Sequence, residues 1–88
     1  MRFEWDPRKA QSNKRKHGVS FEEAATCFLD EHGRYFEDLT HDDRFVLIAL
    51  SERHRLVFCV HAEVEEETIR IISARLATRI ERRRYEED

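Results

Sequence analysis

Hydrophobic and polar positions recur with two different periods along this chain, and the changes of period outline its elements. Phe3-Glu4-Trp5 alternates and reads as a short opening strand. Asp6-Pro7 then supplies a helix start, because Asp is a favoured N-cap and Pro at the first helical position gives up no needed hydrogen bond. Pro7–His17 is predicted as a helix, with Gly18 as its left-handed stop. Its one apolar residue after Pro7 is Ala10, so this helix is solvated or lies on a charged surface. A second helix starts at Ser20. Ser20-Phe21-Glu22-Glu23 reads as a capping box, Val19 can staple onto Ala24, and Phe21, Ala24, Ala25 and Phe28 recur at helical spacing. His32-Gly33 is expected to break it.

From Asp30 to Asp43 the chain is acidic and turn-rich, with a short strand expected at Arg34–Phe36. Phe45–Leu50 and Leu56–Ala62 are almost unbroken apolar runs, and the short link Ser51-Glu52-Arg53-His54-Arg55 makes them an antiparallel hairpin. Runs without polar alternation belong to strands buried on both faces. Glu65-Glu66-Glu67 forms an acidic turn, and Thr68–Ala74 is the last strand. Thr78-Arg79-Ile80-Glu81 reads as a second capping box, opening a short helix that reaches about Tyr85. The expected architecture is α+β: an N-terminal strand and two helices, an antiparallel sheet of three to four strands, and a short C-terminal helix.

The composition narrows this picture without changing it. A chain of 88 residues is expected to form one domain, residues 1–88, with a modest core. No apolar run approaches the roughly 18 residues of a membrane helix, and Met-Arg-Phe-Glu-Trp lacks a signal-peptide layout, so the expectation is a cytoplasmic protein without membrane contact. Cys27 and Cys59 stand among apolar neighbours, far apart in sequence, and read as buried free thiols. His32, His41 and His54 fall in turns without partners at ligand spacing, so neither a metal site nor a cofactor is expected.

Charge adds the functional clue. The net charge of −3 conceals two cationic clusters. Met1–His17 holds six Lys or Arg against two carboxylates, and Arg70–Arg84 holds six Arg against one. If the fold joins the two ends, they form one basic groove suited to a polyanion, and for a small soluble protein that means nucleic acid. The acidic stretches Asp30–Asp43 and Glu63–Glu67 would repel RNA and suit a basic partner or solvent.

The residues also carry a resemblance. Phe3-Glu4-Trp5-Asp6, Lys9, Asn13, the block Lys16-His17-Gly18-Val19-Ser20-Phe21-Glu22-Glu23-Ala24, the block Arg70-Ile71-Ile72-Ser73-Ala74-Arg75, and Ala77-Thr78, Glu81 and Tyr85 resemble the BrnT toxins. The resemblance spans nearly the whole chain. It implies a fold like that of the RelE ribonuclease toxins and RNA cleavage without metal, inhibiting translation. It also implies a cognate antitoxin of the BrnA kind, with a ribbon-helix-helix part that neutralises the toxin and reaches operator DNA. The chain departs from the family near Val64, where members often carry an Arg and this one has Glu63, Glu65, Glu66 and Glu67.

Metal-free RNA cleavage needs a base for the attacking 2′-hydroxyl, an acid for the leaving 5′-oxygen, and cations for the phosphoryl oxygens. His17, in the last turn of a helix, is the acid/base candidate, against a plain role binding free helix carbonyls. Arg70 and Arg75 are the phosphate-binding candidates, since a guanidinium donates two parallel bonds; the alternative is ion pairing to Glu4, Glu81 or the acidic loop. Ser73 lies between them and either bonds a phosphate oxygen or packs. Lys9, Asn13 and Lys16 share part of a helix face with His17 that either tracks an RNA backbone or is simply solvated. Arg79, Arg82 and Arg83 would support RNA binding by charge. Glu81 reads mainly as structural, Tyr85 as a packing anchor and His61 as a core histidine. Two functions from different classes follow: a metal-independent endoribonuclease toxin, or a catalytically weak homologue that binds the antitoxin as a corepressor module.

Overall fold

The computed structural model describes residues 1–87. Five strands form one sheet: β1 (Arg2–Glu4), β2 (Arg34–Glu37), β3 (Phe45–Leu50), β4 (Leu56–Glu65) and β5 (Thr68–Leu76), in the spatial order β1-β5-β4-β3-β2. Three α-helices complete it: α1 (Pro7–His17), α2 (Phe21–Thr26) and α3 (Arg79–Glu86). The opening strand does not stand apart. It pairs in parallel with β5, Phe3 opposite Ile69, so the antiparallel sheet gains a fifth, parallel edge.

The helix signals act much as the sequence suggests. Asp6 caps α1 by accepting from the Arg8 N–H at 2.8 Å, and Gly18 ends it at φ 71°. Thr78 and Glu81 form a complete capping box on α3. At α2 only half of the expected box exists. Ser20 Oγ accepts from the Glu23 N–H, but the Glu23 carboxylate turns inward to Ser51 and Arg55. α2 also stops earlier than expected, at Thr26, and continues as a single 3-10 turn over Cys27–Leu29 before His32-Gly33. The hairpin between β3 and β4 turns without glycine, with His54 itself adopting φ 61°.

β3 and β4 are buried on both faces because the sheet has two cores. On one face Leu47, Ala49, Val57, Cys59, Ile71 and Ala74 pack against Val19, Phe21 and Ala24 of the α1–α2 layer. On the other, Val46, Ile48 and Leu56 pack with Phe58, Val60 and Tyr85 beneath α3. Leu47 is fully enclosed, and truncating such a residue to Ala costs about 2–5 kcal/mol. Cys27 and Cys59 are free and buried, and burial pushes the Cys27 thiol up to about 12. No helix among the described residues is long and apolar enough to cross a membrane.

Candidate functional site

A bulge decides which side chains β5 presents together. Val60 pairs with Ser73 but His61 pairs with Ile71, so Ile72 is an extra residue in β5. In a regular strand, residues five apart face opposite ways. With the extra residue, Arg70 and Arg75 share a face. Arg70 lies between the inward Ile69 and Ile71, whereas Arg75 follows the inward Ala74 and stands opposite Phe58. Ser73 faces the same way, opposite Val60. Three of the four expected catalytic residues are thus gathered on the α3 side of the sheet.

Arg75 is the most constrained of them. Its guanidinium donates to both carboxylate oxygens of Glu81, Nη1 at 2.8 Å and Nη2 at 2.9 Å. Nη1 also donates to the Leu76 carbonyl at 3.3 Å, and the ring of Phe58 lies 4.0 Å beneath Cζ. Glu81 is held in turn by the Thr78 N–H at 2.9 Å. Hydrogen bonds from Arg75 draw the Glu81 carboxyl below its ordinary range, against an opposing push from burial. The Nε–H and the outer Nη2–H have no acceptor among the described residues. Those two groups are parallel and form the second fork of a guanidinium, the edge that fits two phosphoryl oxygens. The side chain remains 36% exposed, enough for a ligand to reach that edge.

A sequence-family model described as the ribonuclease toxin BrnT of type II toxin–antitoxin systems matches residues 5–81. The chain belongs to the BrnT ribonuclease toxin family. The match runs from Trp5 through Glu81 and so contains both Arg75 and its carboxylate partner. The crystal structure of the Brucella abortus ribonuclease toxin BrnT is similar to this fold, with a TM-score of 0.74 and 25% identity over 90% of this chain and 99% of that one. No curated protein matches the chain in sequence.

The other expected site residues of this BrnT-family chain distribute unevenly. Arg70 donates to Glu4 Oε2 at 2.6 Å across the β1–β5 pair, with both side chains exposed. Arg79, Arg82 and Arg83 are exposed on α3, while Arg84 lies 4.3 Å over the Phe36 ring. Tyr85 is an anchor, its hydroxyl donating to Asp30 Oδ2 at 2.6 Å. His17, Lys9 and Lys16 are exposed on α1, which belongs to the opposite layer of the sheet. The two basic ends therefore meet, but they do not line one face; β5 stands between them.

Asn13 is not on the surface as expected. β1 ends opposite Arg70, leaving the next stretch of β5 without a neighbouring strand. The Asn13 amide fills that edge. Nδ2 donates to the carbonyls of Ala74 (2.7 Å) and Val19 (3.0 Å), and Oδ1 accepts from the Ala74 N–H at 3.1 Å. A primary amide carries the same donor and acceptor as a peptide group, so one side chain stands in for a strand residue. Its hydrogen-bonding groups are engaged inside the protein, and this is why it cannot serve an RNA backbone. The same clip fixes α1 beside Ser73 and Arg75.

Sequence reasoning missed Phe58, the platform under Arg75, and the Ile72 bulge. The apolar run around Phe58 reads as core, and a bulge leaves no residue signature in a β-branched strand. Among the described residues no three His, Cys, Asp or Glu side chains converge as metal ligands would.

Proposed function

We propose that this chain is a metal-independent endoribonuclease that cleaves RNA and thereby inhibits translation. A cognate DNA-binding antitoxin of the BrnA kind neutralises it and links it to operator DNA. The observation that carries this reading is the guanidinium of Arg75, oriented by Glu81 and Phe58 with one whole fork open.

In the proposed reaction the 2′-hydroxyl attacks the adjacent phosphorus and the 5′-oxygen leaves. The Nε/Nη2 fork of Arg75 takes two non-bridging oxygens, whose charge grows as the pentacoordinate state forms. Arg70 adds positive charge on the same face, and Ser73 donates a hydrogen bond to the phosphate. His17 moves the proton. It lies one helical turn beyond Asn13, about 6 Å along α1 at 1.5 Å per residue, and the clip between Asn13 and Ala74 supports this role. Lys9 and Lys16, with Arg79, Arg82 and Arg83, attract the RNA backbone from the two sides.

The test is inducible expression in bacteria, paired with cleavage of RNA by purified protein in chelator. Growth arrest and cleavage by the parent, with both lost in Arg75→Ala at equal protein level, support the nuclease. Replacing His17 with Gln should reduce cleavage about a hundredfold if it transfers the proton. A folded parent that neither arrests growth nor cleaves RNA would instead favour the corepressor module. That second reading has its own observations: Arg70 and Arg75 both face carboxylates, and glutamates occupy the β4–β5 turn.

A further inference from the structure

On the α1–α2 side of the sheet, at the end of the β4–β5 hairpin, lies a cavity of about 310 Å³ that the nuclease reading does not use. Phe28, Tyr35, Phe45 and His61 form its aromatic wall, and Glu63 is the one charged side chain lining it. His61 is central. Phe28 meets its ring edge-on at 4.9 Å and Tyr35 at 6.0 Å, and only 3% of the residue is exposed. Its Nδ1 lies 3.4 Å from the Cys59 carbonyl. A carbonyl only accepts, so the proton of the neutral ring sits on Nδ1 and Nε2 presents a lone pair. Burial pushes the imidazole below its ordinary range, which keeps it neutral. Every fully enclosed side-chain nitrogen or oxygen among the described residues has a hydrogen-bond partner, whereas Nε2 has none. Nε2 therefore opens to the cavity.

The cavity thus offers an acceptor nitrogen, a carboxylate and aromatic faces, and no Lys or Arg side chain lines it. That set is complementary to a cation rich in donors. It continues, past the shared Met1, Glu63 and Ile69, into a groove of about 430 Å³ walled by Glu65, Glu66 and Glu67. A single small cation would leave that groove empty, and RNA would be repelled by it. Met1, Tyr35 and Val64 add exposed apolar surface at the rim, Tyr35 at 57%.

We propose that this cavity receives an arginine side chain from a basic segment of the antitoxin, whose flanking residues lie along the glutamate groove. Arginine fits better than lysine, because a planar guanidinium stacks on aromatic rings while its separate N–H groups reach Nε2 and Glu63. The partner follows from membership of a toxin–antitoxin family; the chemistry of the site stands without it. Ile69 and Arg75 are six residues apart on β5, about 20 Å along the strand, and face opposite sides. The antitoxin would grip the toxin here by an anchor away from the phosphate fork.

The test is aromatic and histidine NMR of the intact protein, titrated with acetyl-Leu-Arg-Leu-amide and with its neutral isostere acetyl-Leu-citrulline-Leu-amide. The arginine peptide should shift the resonances of Tyr35, Phe45 and His61 and bind at least tenfold more tightly. Glu63→Gln should shrink that preference to about threefold or less, and Tyr35→Leu should weaken arginine binding at least threefold at unchanged charge. Both side chains are exposed, so neither variant threatens folding. Equal binding of the two peptides, or no ring shifts, overturns the proposal, as does full binding by Tyr35→Leu. Sedimentation of the free protein should show a monomer; a dimer dissolved by Glu63→Gln would make a second copy the occupant and overturn the assignment to the antitoxin. RNA cleavage by Glu63→Gln should equal the parent's. A protein that binds the arginine peptide but cleaves no RNA would keep this site and refute the nuclease.

Discussion

Two arginine–glutamate pairs in this protein use the same chemistry to opposite ends. Arg55 turns its Nε/Nη2 edge to the Glu23 carboxylate and gives Nη2 also to the Gly18 carbonyl at 2.9 Å. Ser51 Oγ donates to the same carboxylate at 2.6 Å, so the pair ties α2 and the α1–α2 link to the β3–β4 turn. Glu23 is only 4% exposed, and the network is closed around it. Arg75 turns its other end to Glu81 and leaves the Nε/Nη2 edge open. One pair directs its fork into the protein and the other holds a fork out. The two pairs differ in which edge of the guanidinium meets its carboxylate, and the proposed phosphate role of Arg75 depends on that difference.

The largest expected effect is at the open pair. Arg75→Lys keeps the charge but has no second fork, and the loss of such a preorganised donor set should lower RNA cleavage by roughly 10²–10³-fold. Unfolding by urea should shift little. A Lys variant with parental cleavage would show that Arg75 supplies only charge, and the contrast with Arg55 would lose its functional meaning.

At the closed pair the effect moves from activity to stability. Removing one partner of a buried ion pair costs about 3–5 kcal/mol, but Arg55 still reaches water, so Glu23→Gln should cost nearer 2 kcal/mol. Acid should reveal the same pair. Hydrogen bonds from Arg55 hold the Glu23 carboxyl below its ordinary value of 4.5 despite burial. The folded state thus binds the proton less readily than the unfolded chain. The stabilisation is complete above pH 4.5 and is lost as pH falls through and below that value. Urea midpoints should drop more steeply below about pH 4.5 in the parent than in Glu23→Gln. Parallel curves would remove Glu23 as the source of acid sensitivity.

These pairs also show what a sequence reveals. The caps at Asp6, Thr78 and Gly18 were readable because each acts on backbone groups within a few residues. The two runs Phe45–Leu50 and Leu56–Ala62 foretold a sheet with two cores, because unbroken apolar strands have no other place. Glu23 was misread as a cap because its true partner stands 32 residues away, and the local pattern satisfies a simpler rule. Asn13 was misread for the same reason: its partner is Ala74, and helical spacing alone places it with Lys9 and Lys16. Arg75 was legible as a phosphate candidate, but its orientation needed a bulge that no residue type announces.

Glu81→Gln sharpens the comparison from the other partner. Gln still serves the capping box, so α3 should remain and stability change by less than about 1 kcal/mol. The Arg75 fork, however, loses its charged anchor. Cleavage should fall about tenfold, equivalent to about 1.4 kcal/mol of lost positioning. The heteronuclear NOE of Arg75 Nε should fall as the side chain becomes mobile. An unchanged NOE with unchanged cleavage would assign the orientation to Phe58 alone.

The smallest effect belongs to a third pair, Arg70 with Glu4, where both side chains are 44% exposed. Water screens this pair, and exposed pairs contribute about 0–1 kcal/mol, so Glu4→Gln should leave stability nearly unchanged. It also releases Arg70 from its carboxylate on the face shared with Arg75. If Arg70 attracts RNA there, cleavage should rise about twofold at low ionic strength, and the gain should vanish at about 1 M salt, where charges act over only about 3 Å. No gain at low salt would leave Arg70 as a surface ion pair and Arg75 as the only cationic phosphate candidate on this strand. The gradient from Glu23 through Glu81 to Glu4 would then run from structure through positioning to solvation, set by burial and by the edge of the guanidinium each carboxylate meets.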